Sequence, residues 1–202
     1  MPRRQPKNKK HTGNQVRIIA GDWRGRKIGF PDARGLRPSP DRVRETLFNW
    51  LQGYVPGARC LDLFAGSGVL GLEALSRGAR EVVFVEKDPY VVKSLQSGIH
   101  ELNAGDRAGL VNNDALVYLG TPGCGTFDIV FIDPPYKQGL VMECVRRLDK
   151  NRLVEDRGLL YLEQESGLEA PDLPENWVVL KSRQAGQASY CLAQAPDRGT
   201  DE

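Results

Sequence analysis

The chain has 202 residues, 40% of them hydrophobic, enough for one well-buried domain with a small appendage. A net charge of +2 assigns no partner by itself, and four cysteines without CxxC spacing beside two histidines argue against a metal site or a disulfide framework. No apolar run reaches transmembrane length and none follows the basic start Met1-Pro2-Arg3-Arg4, so a cytoplasmic protein without membrane contact is expected.

Charge is unevenly spread along the chain. Residues 1–27 hold nine cations against one acid, Asp22, so the remainder is net acidic. A basic arm on an acidic body is the layout of an enzyme that meets nucleic-acid phosphates with its amino terminus. Residues 1–14 have the composition of a tail without a core. Val16, Ile18 and Ala20 then fall on one face, Gly21 to Gly25 reads as a turn, and Arg26 to Phe30 as the returning strand of a β-hairpin carrying Arg17, Arg24 and Arg26. Ser39-Pro40-Asp41 predicts a helix start with Ser39 as its cap. Val43, Leu47, Trp50 and Leu51 form the apolar stripe of that helix, and Arg42 and Arg44 fall elsewhere on its surface.

Strands and helices alternate from there on. A strand from Arg59 to Phe64 leads into a helix with Leu70, Leu72, Ala74 and Leu75, and a second from Glu81 to Val85 into a helix opened by Asp88-Pro89, with Val92, Leu95, Ile99 and Leu102 inward. A short strand near Gly109 to Asn112 precedes a brief helix capped by Asp114. Further strands run from Asp128 to Ile132 and from Gly158 to Gln164. Trp177 to Lys181 and Ala188 to Ala193 form a closing antiparallel pair around Ala185-Gly186. The pattern predicts an α/β fold: a mostly parallel, doubly wound seven-stranded sheet with an antiparallel closing strand and an N-terminal β-hairpin extension. The expected division is a tail over 1–14, hairpin and linker over 15–36, a catalytic domain over 37–195 and a second tail over 196–202.

Two motifs close two of these strands, at the sheet edge where α/β folds bind their ligands. The first is Asp62-Leu63-Phe64-Ala65-Gly66-Ser67-Gly68 and the second Asp133-Pro134-Pro135-Tyr136. Glycines let the backbone pass close to a nucleoside with no Cβ in the way. Gly66 to Gly71 also fits GxGxxG, and Glu86 stands twenty residues on, so the first motif alone leaves an NAD-dependent oxidoreductase in contention. Hydride transfer needs a proton donor or acceptor, however, and neither His11 nor His100 stands at a strand's carboxyl end. A site for S-adenosylmethionine accommodates both motifs. Asp62, Phe64, Gly66 and Gly68 would line it, Glu86 would accept from the ribose hydroxyls, Asp114 would accept from the adenine amine, and Asn113 or Ala115 would supply a backbone contact to the ring. Singly, Glu86 reads equally as a surface carboxylate and Asp114 as a helix cap; at the ends of successive strands they read as a set.

The second motif suits an exocyclic amine. Such an amine is a poor nucleophile because its lone pair is delocalised into the ring. Two acceptors gripping its hydrogens favour the pyramidal form in which the lone pair can reach a methyl group. The Asp133 carboxylate and the Pro134 carbonyl fit that task on a turn stiffened by two prolines. Tyr136 can stack on a base swung out of its helix, worth about 1–3 kcal/mol. Pro-Pro also occurs in plain rigid turns; its place after an apolar strand, downstream of the glycine motif, favours the chemical reading.

From Val16 to Leu192 the chain resembles the RsmD-type 16S rRNA (guanine-N2)-methyltransferases of bacteria. The resemblance is carried by Arg17-Ile18-Ile19-Ala20-Gly21 with Trp23-Arg24-Gly25-Arg26, by Gly35-Leu36-Arg37-Pro38 with the stretch from Asp41 to Leu51, and by the two motifs. RPxxDRVRExLFNxL is the specific part, because DPPY is shared with many amino-methyltransferases; Ala20 stands where the family usually has glycine. The resemblance implies a Rossmann-like methyltransferase fold, S-adenosylmethionine as cofactor, and a monomer acting on one guanine of 16S rRNA in the 30S subunit or a late assembly intermediate. Arg37, Arg42 and Arg44 are then candidates for phosphate contact, with Arg17, Arg24 and Arg26, or for closing over the cofactor; a solvated or salt-bridged helix face is the plain alternative. N6-adenine methylation of DNA or RNA uses a similar tetrapeptide, but such enzymes usually carry a further target-recognition segment. An RNA-binding assembly factor without turnover is disfavoured by two sites that both look intact.

Overall fold

The computed structural model describes residues 14–33, 38–136, 138–168 and 171–199. Of the tail expected over 1–14, residues 1–13 lie outside the described residues, as does Arg37, while Asn14 already pairs in the hairpin. β1 (Asn14–Arg17) and β2 (Lys27–Phe30) pair antiparallel as the hairpin, with Val16 opposite Ile28. α1 (Asp41–Trp50) follows, then β3 (Arg59–Asp62), α2 (Val69–Ser76), β4 (Glu81–Glu86), α3 (Pro89–Glu101), β5 (Ala108–Asn112), α4 (Ala115–Tyr118), β6 (Phe127–Ile132), α5 (Leu140–Lys150), β7 (Val154–Glu165), β8 (Val178–Ala185) and β9 (Ala188–Gln194).

One seven-stranded sheet has the order β5-β4-β3-β6-β7-β9-β8. β3, β4, β5, β6 and β7 run parallel; β9 slots between β7 and β8, antiparallel to both. The fold class expected from sequence is therefore the one observed. Apolar residues alternate between the two sheet faces, which splits the core in two. Cys60, Val82, Phe84, Phe131 and Tyr161 meet α1, α2 and α3 on one face, while Leu61, Val85, Val130, Ile132 and Leu162 meet α4 and α5 on the other. Val16, Ile18 and Ile28 of the hairpin pack into the first of these cores. All eight residues of α2 are buried, because the sheet covers one side of it and the hairpin with α1 the other.

Several local expectations need correction. Val91, not Val92, faces the core from α3, together with Leu95 and Ile99. Phe48 completes the buried stripe of α1, and Trp50 is only half-buried, its ring 5.5 Å from that of Tyr190. α5 has no counterpart in the expected elements, although Val141, Cys144, Val145 and Leu148 recur at helical spacing; Gly139, in a left-handed conformation at its start, marks where the chain leaves the DPPY turn. The strand pair at the end is longer than expected and turns at Gly186-Gln187. Among the described residues no helix is long and apolar enough to cross a membrane. Cys60, Cys144 and Cys191 are buried free thiols.

Candidate active site

Two adjacent parallel strands place the two motifs. Asp62 pairs with Phe131 in the β3–β6 register, so the glycine loop and the DPPY turn leave the sheet side by side. The loop tightens at once: Gly68 donates its N–H to the Ala65 carbonyl at 2.6 Å and takes the left-handed φ of 72° as it enters α2. A side chain at Gly71 would put its Cβ 2.2 Å from the Phe84 ring, so α2 can lie this close to β4 only with glycine there.

The acids around the loop hold its backbone in place. Asp62 is buried beneath it, and Oδ2 accepts from the Gly71 N–H at 3.0 Å. Burial pushes Asp62 up to about 7; the Gly71 N–H opposes this and the charge of Glu86 adds to it. Glu86 ends β4 partly exposed. One of its oxygens accepts from the Gly66 N–H and the other from the Asp88 N–H, both at 2.9 Å, and each oxygen keeps a lone pair for a ligand. Asp114 is exposed past β5 and caps α4 through Oδ1, accepting from Leu116 at 2.8 Å. The cap and the open carboxylate are thus the same group. Asn113 accepts from the Asp114 N–H through Oδ1, Ala115 is buried in the first turn of α4, and Phe64 packs half-buried on the second core. A glycine loop flanked by one acid at the end of β4 and another past β5 fits a ligand carrying a ribose and an amino-purine, the groups that S-adenosylmethionine would present.

Past β6, Asp133 is mostly buried and accepts from the Ser39 hydroxyl at Oδ2, 3.0 Å away. Ser39 is therefore not the helix cap its sequence pattern predicts. Pro40 occupies the cap position of α1 and no side chain caps the helix. Pro134 is buried, and Tyr136 lies 42% exposed at the mouth, its hydroxyl 3.4 Å from Glu163 Oε1. Glu163 is buried two residues before the end of β7 and also accepts from the Tyr161 hydroxyl at 2.6 Å. Burial raises Asp133 well above its ordinary value, and the charges of Glu163 and Asp62 add to this while the Ser39 hydroxyl opposes it. Burial pushes Tyr136 up to about 12, and the charges of Glu163 and Asp133 add to it. Glu163 is a site residue that sequence reasoning missed. Its signal is in the sequence: an acid follows the apolar run in Leu-Leu-Tyr-Leu-Glu as Glu86 does in Val-Val-Phe-Val-Glu.

The arginines divide. Arg24, Arg26 and Arg42 are exposed; Arg26 donates to the Glu101 carbonyl at 2.9 Å. Arg17 is exposed but paired with Asp41 at 3.1 Å. Arg44 overturns its expected role. It is fully buried and bonded to Glu73 at 3.3 Å, to Asp41 at 2.5 Å, and to the Ser39 and Arg17 carbonyls, because α1 turns that face toward α2 rather than toward solvent.

Comparison with known proteins places this geometry. Residues 16–194 match the model of the family described as conserved hypothetical protein 95. The chain is 45% identical over 197 residues to ribosomal RNA small subunit methyltransferase D of Escherichia coli, covering 97% of this chain and 98% of that protein. The protein of the same name from Haemophilus influenzae is 44% identical over 183 residues, covering 89% and 94%. The solved structure of the Escherichia coli protein yhhF superposes with a TM-score of 0.85 at 45% identity, over 92% of this chain and all of that one.

Proposed function

The chain belongs to this RsmD-type methyltransferase family, and from that premise we propose that it transfers a methyl group from S-adenosylmethionine to the exocyclic N2 amine of a guanine in 16S rRNA. The observation that carries the reading is Asp133, held by Ser39 at the end of β6, one strand from the glycine loop of β3. S-adenosylmethionine supplies an electrophilic methyl on a sulfonium, which leaves as a neutral thioether. Glu86 and Asp114 would bind the ribose and adenine. Asp133 and the Pro134 carbonyl accept the two amine hydrogens, orienting the nitrogen lone pair toward the methyl. The nitrogen–carbon bond forms as the sulfur–carbon bond breaks, and the surplus amine proton passes to Asp133 or to water. Tyr136 stacks on the extruded base. Positioning supplies most of the acceleration.

In this reading selection rests on RNA shape presented by the 30S particle together with the amine-holding pocket. Labelled S-adenosylmethionine is incubated with 30S particles, protein-free rRNA and duplex DNA, and the modified nucleosides are separated by mass. N2-methylguanosine, formed chiefly in 30S particles, is expected. Label chiefly as N6-methyladenine, or chiefly in DNA, overturns the assignment.

A further inference from the structure

Ser39 stands next to a helix start whose capping role it does not fill. Its hydroxyl instead reaches Asp133 across 94 positions of sequence, at 3.0 Å. Only 6% of the residue is exposed, so water does not compete for that bond. The donor is fixed from both sides. Pro40 restricts the backbone of Ser39, and Arg44 Nε donates to the Ser39 carbonyl at 3.1 Å. Arg44 is itself immobilised by Glu73 and Asp41 and by the Arg17 carbonyl. A hydroxyl locked in this way costs little entropy to use.

We infer that Ser39 is a positioning residue for methyl transfer: its hydroxyl holds Asp133 Oδ2, so that the other carboxylate oxygen is presented to the target amine. This rests on the reading of Asp133 as the amine acceptor. The groups that face Asp133 otherwise are acids or their partners: Glu163 on β7 with Tyr161 and Tyr136 bonded to it, and Asp62 on β3. Each of those charges favours protonation of Asp133, and a protonated acid offers the amine a donor where an acceptor is needed. Ser39 is the hydrogen-bond donor on the other side of the balance.

The test compares wild type, Ser39→Ala, Ser39→Thr and Asp133→Asn. For each, kcat and KM for 30S particles are measured from about pH 5.5 to 9, and S-adenosylhomocysteine affinity by calorimetry. Ser39→Ala is expected to lower kcat by about 10- to 100-fold, the worth of a hydrogen bond to a charged group. Its KM values and S-adenosylhomocysteine affinity should stay within about twofold of wild type, and the acid limb of its kcat profile should move to higher pH by about one pH unit. Ser39→Thr, which keeps the hydroxyl, should restore both. A Ser39→Ala enzyme with the wild-type kcat and pH profile overturns the inference, as does one whose principal defect is weakened S-adenosylhomocysteine binding, which would make Ser39 a cofactor ligand. Near-normal turnover by Asp133→Asn instead strikes at the acceptor reading of Asp133, whatever Ser39→Ala does.

Discussion

The Arg44–Glu73 cluster and the Asp133–Glu163 cluster are both taken out of water, and they treat charge in opposite ways. Glu73 is surrounded by donors: Arg44 at 3.3 Å, Arg77 at 2.8 Å, and the backbone N–H groups of Ile19 and Ala20 at 2.8 and 3.0 Å. Hairpin, α1 and α2 are thereby joined at one neutralised point. Asp133 and Glu163 have hydroxyl donors, Ser39, Tyr136 and Tyr161, and no cation bonds either of them among the described residues. Like charges in a dry site cost stability, so such a pair persists where chemistry requires it. On the proposed function, the difference separates a structural joint from the pair that would meet the target amine.

Removing Arg44 tests the joint and carries the largest effect. Arg44→Ala leaves the buried Glu73 with Arg77 as its one remaining cation among the described residues and frees the Ser39 carbonyl, so stability should fall by about 3–5 kcal/mol. Urea unfolding followed by circular dichroism measures it. A loss below about 1 kcal/mol would place Arg44 among ordinary surface ion pairs and erase the contrast.

The reaction site should respond in the reverse sense. Asp133→Asn removes one of two mutually repelling acids, so folding stability should hold or rise. Turnover should drop by about 100- to 1000-fold, comparable to deleting one preorganised electrostatic contact. A variant that loses stability as severely as Arg44→Ala while keeping turnover would show that the two clusters had been assigned the wrong way round.

Asp62, beneath the glycine loop, is an intermediate case and makes a pH prediction. Burial puts it near 7 in the folded protein against an ordinary 3.8. Between those values the folded state holds a proton the unfolded chain has released, so its contribution to stability declines as pH rises through that window and is fully lost above it. Asn cannot ionise, and its carbonyl can still accept the Gly71 N–H. Asp62→Asn should therefore gain on wild type by up to about 1.4 kcal/mol for each pH unit between about 4 and 7. Unfolding midpoints at both ends of the window decide it; a difference that does not change with pH would mean that Asp62 is ionised throughout.

Those two clusters also explain what sequence could and could not reveal. Strand–helix alternation, the glycine loop and DPPY are local signals, and they gave the parallel sheet and the edge at which the motifs meet. The partners of Ser39 are not local. Ser-Pro-Asp before an apolar stripe fits a helix cap on every short-range rule, and only the packing of α1 against the β6 edge redirects the hydroxyl to Asp133. Arg44 failed for the same reason. A charge on a helix is assigned to solvent until another fully buried charged residue, here Glu73 on α2, is known to face it. Glu163 and α5 are legible in the sequence, the first as an acid after an apolar run, the second as apolar residues at helical spacing.

Arg42 and Arg44 carry the comparison down to one helix turn, and the smallest effect. Two positions apart on α1, they point to opposite sides: Arg44 into the joint, Arg42 to solvent, next in sequence to Asp41, which pairs with Arg17 of the hairpin. If that face meets RNA, Arg42 acts through counterion release alone. Arg42→Ala should then leave stability within about 0.5 kcal/mol, as surface substitutions do. It should weaken 30S binding and reduce the slope of log affinity against log salt by roughly 0.7–0.9, the contribution of one phosphate contact. The same measurement on Arg24→Ala tests the hairpin turn. An unchanged slope in both variants would move the RNA contact away from Arg42 and Arg24.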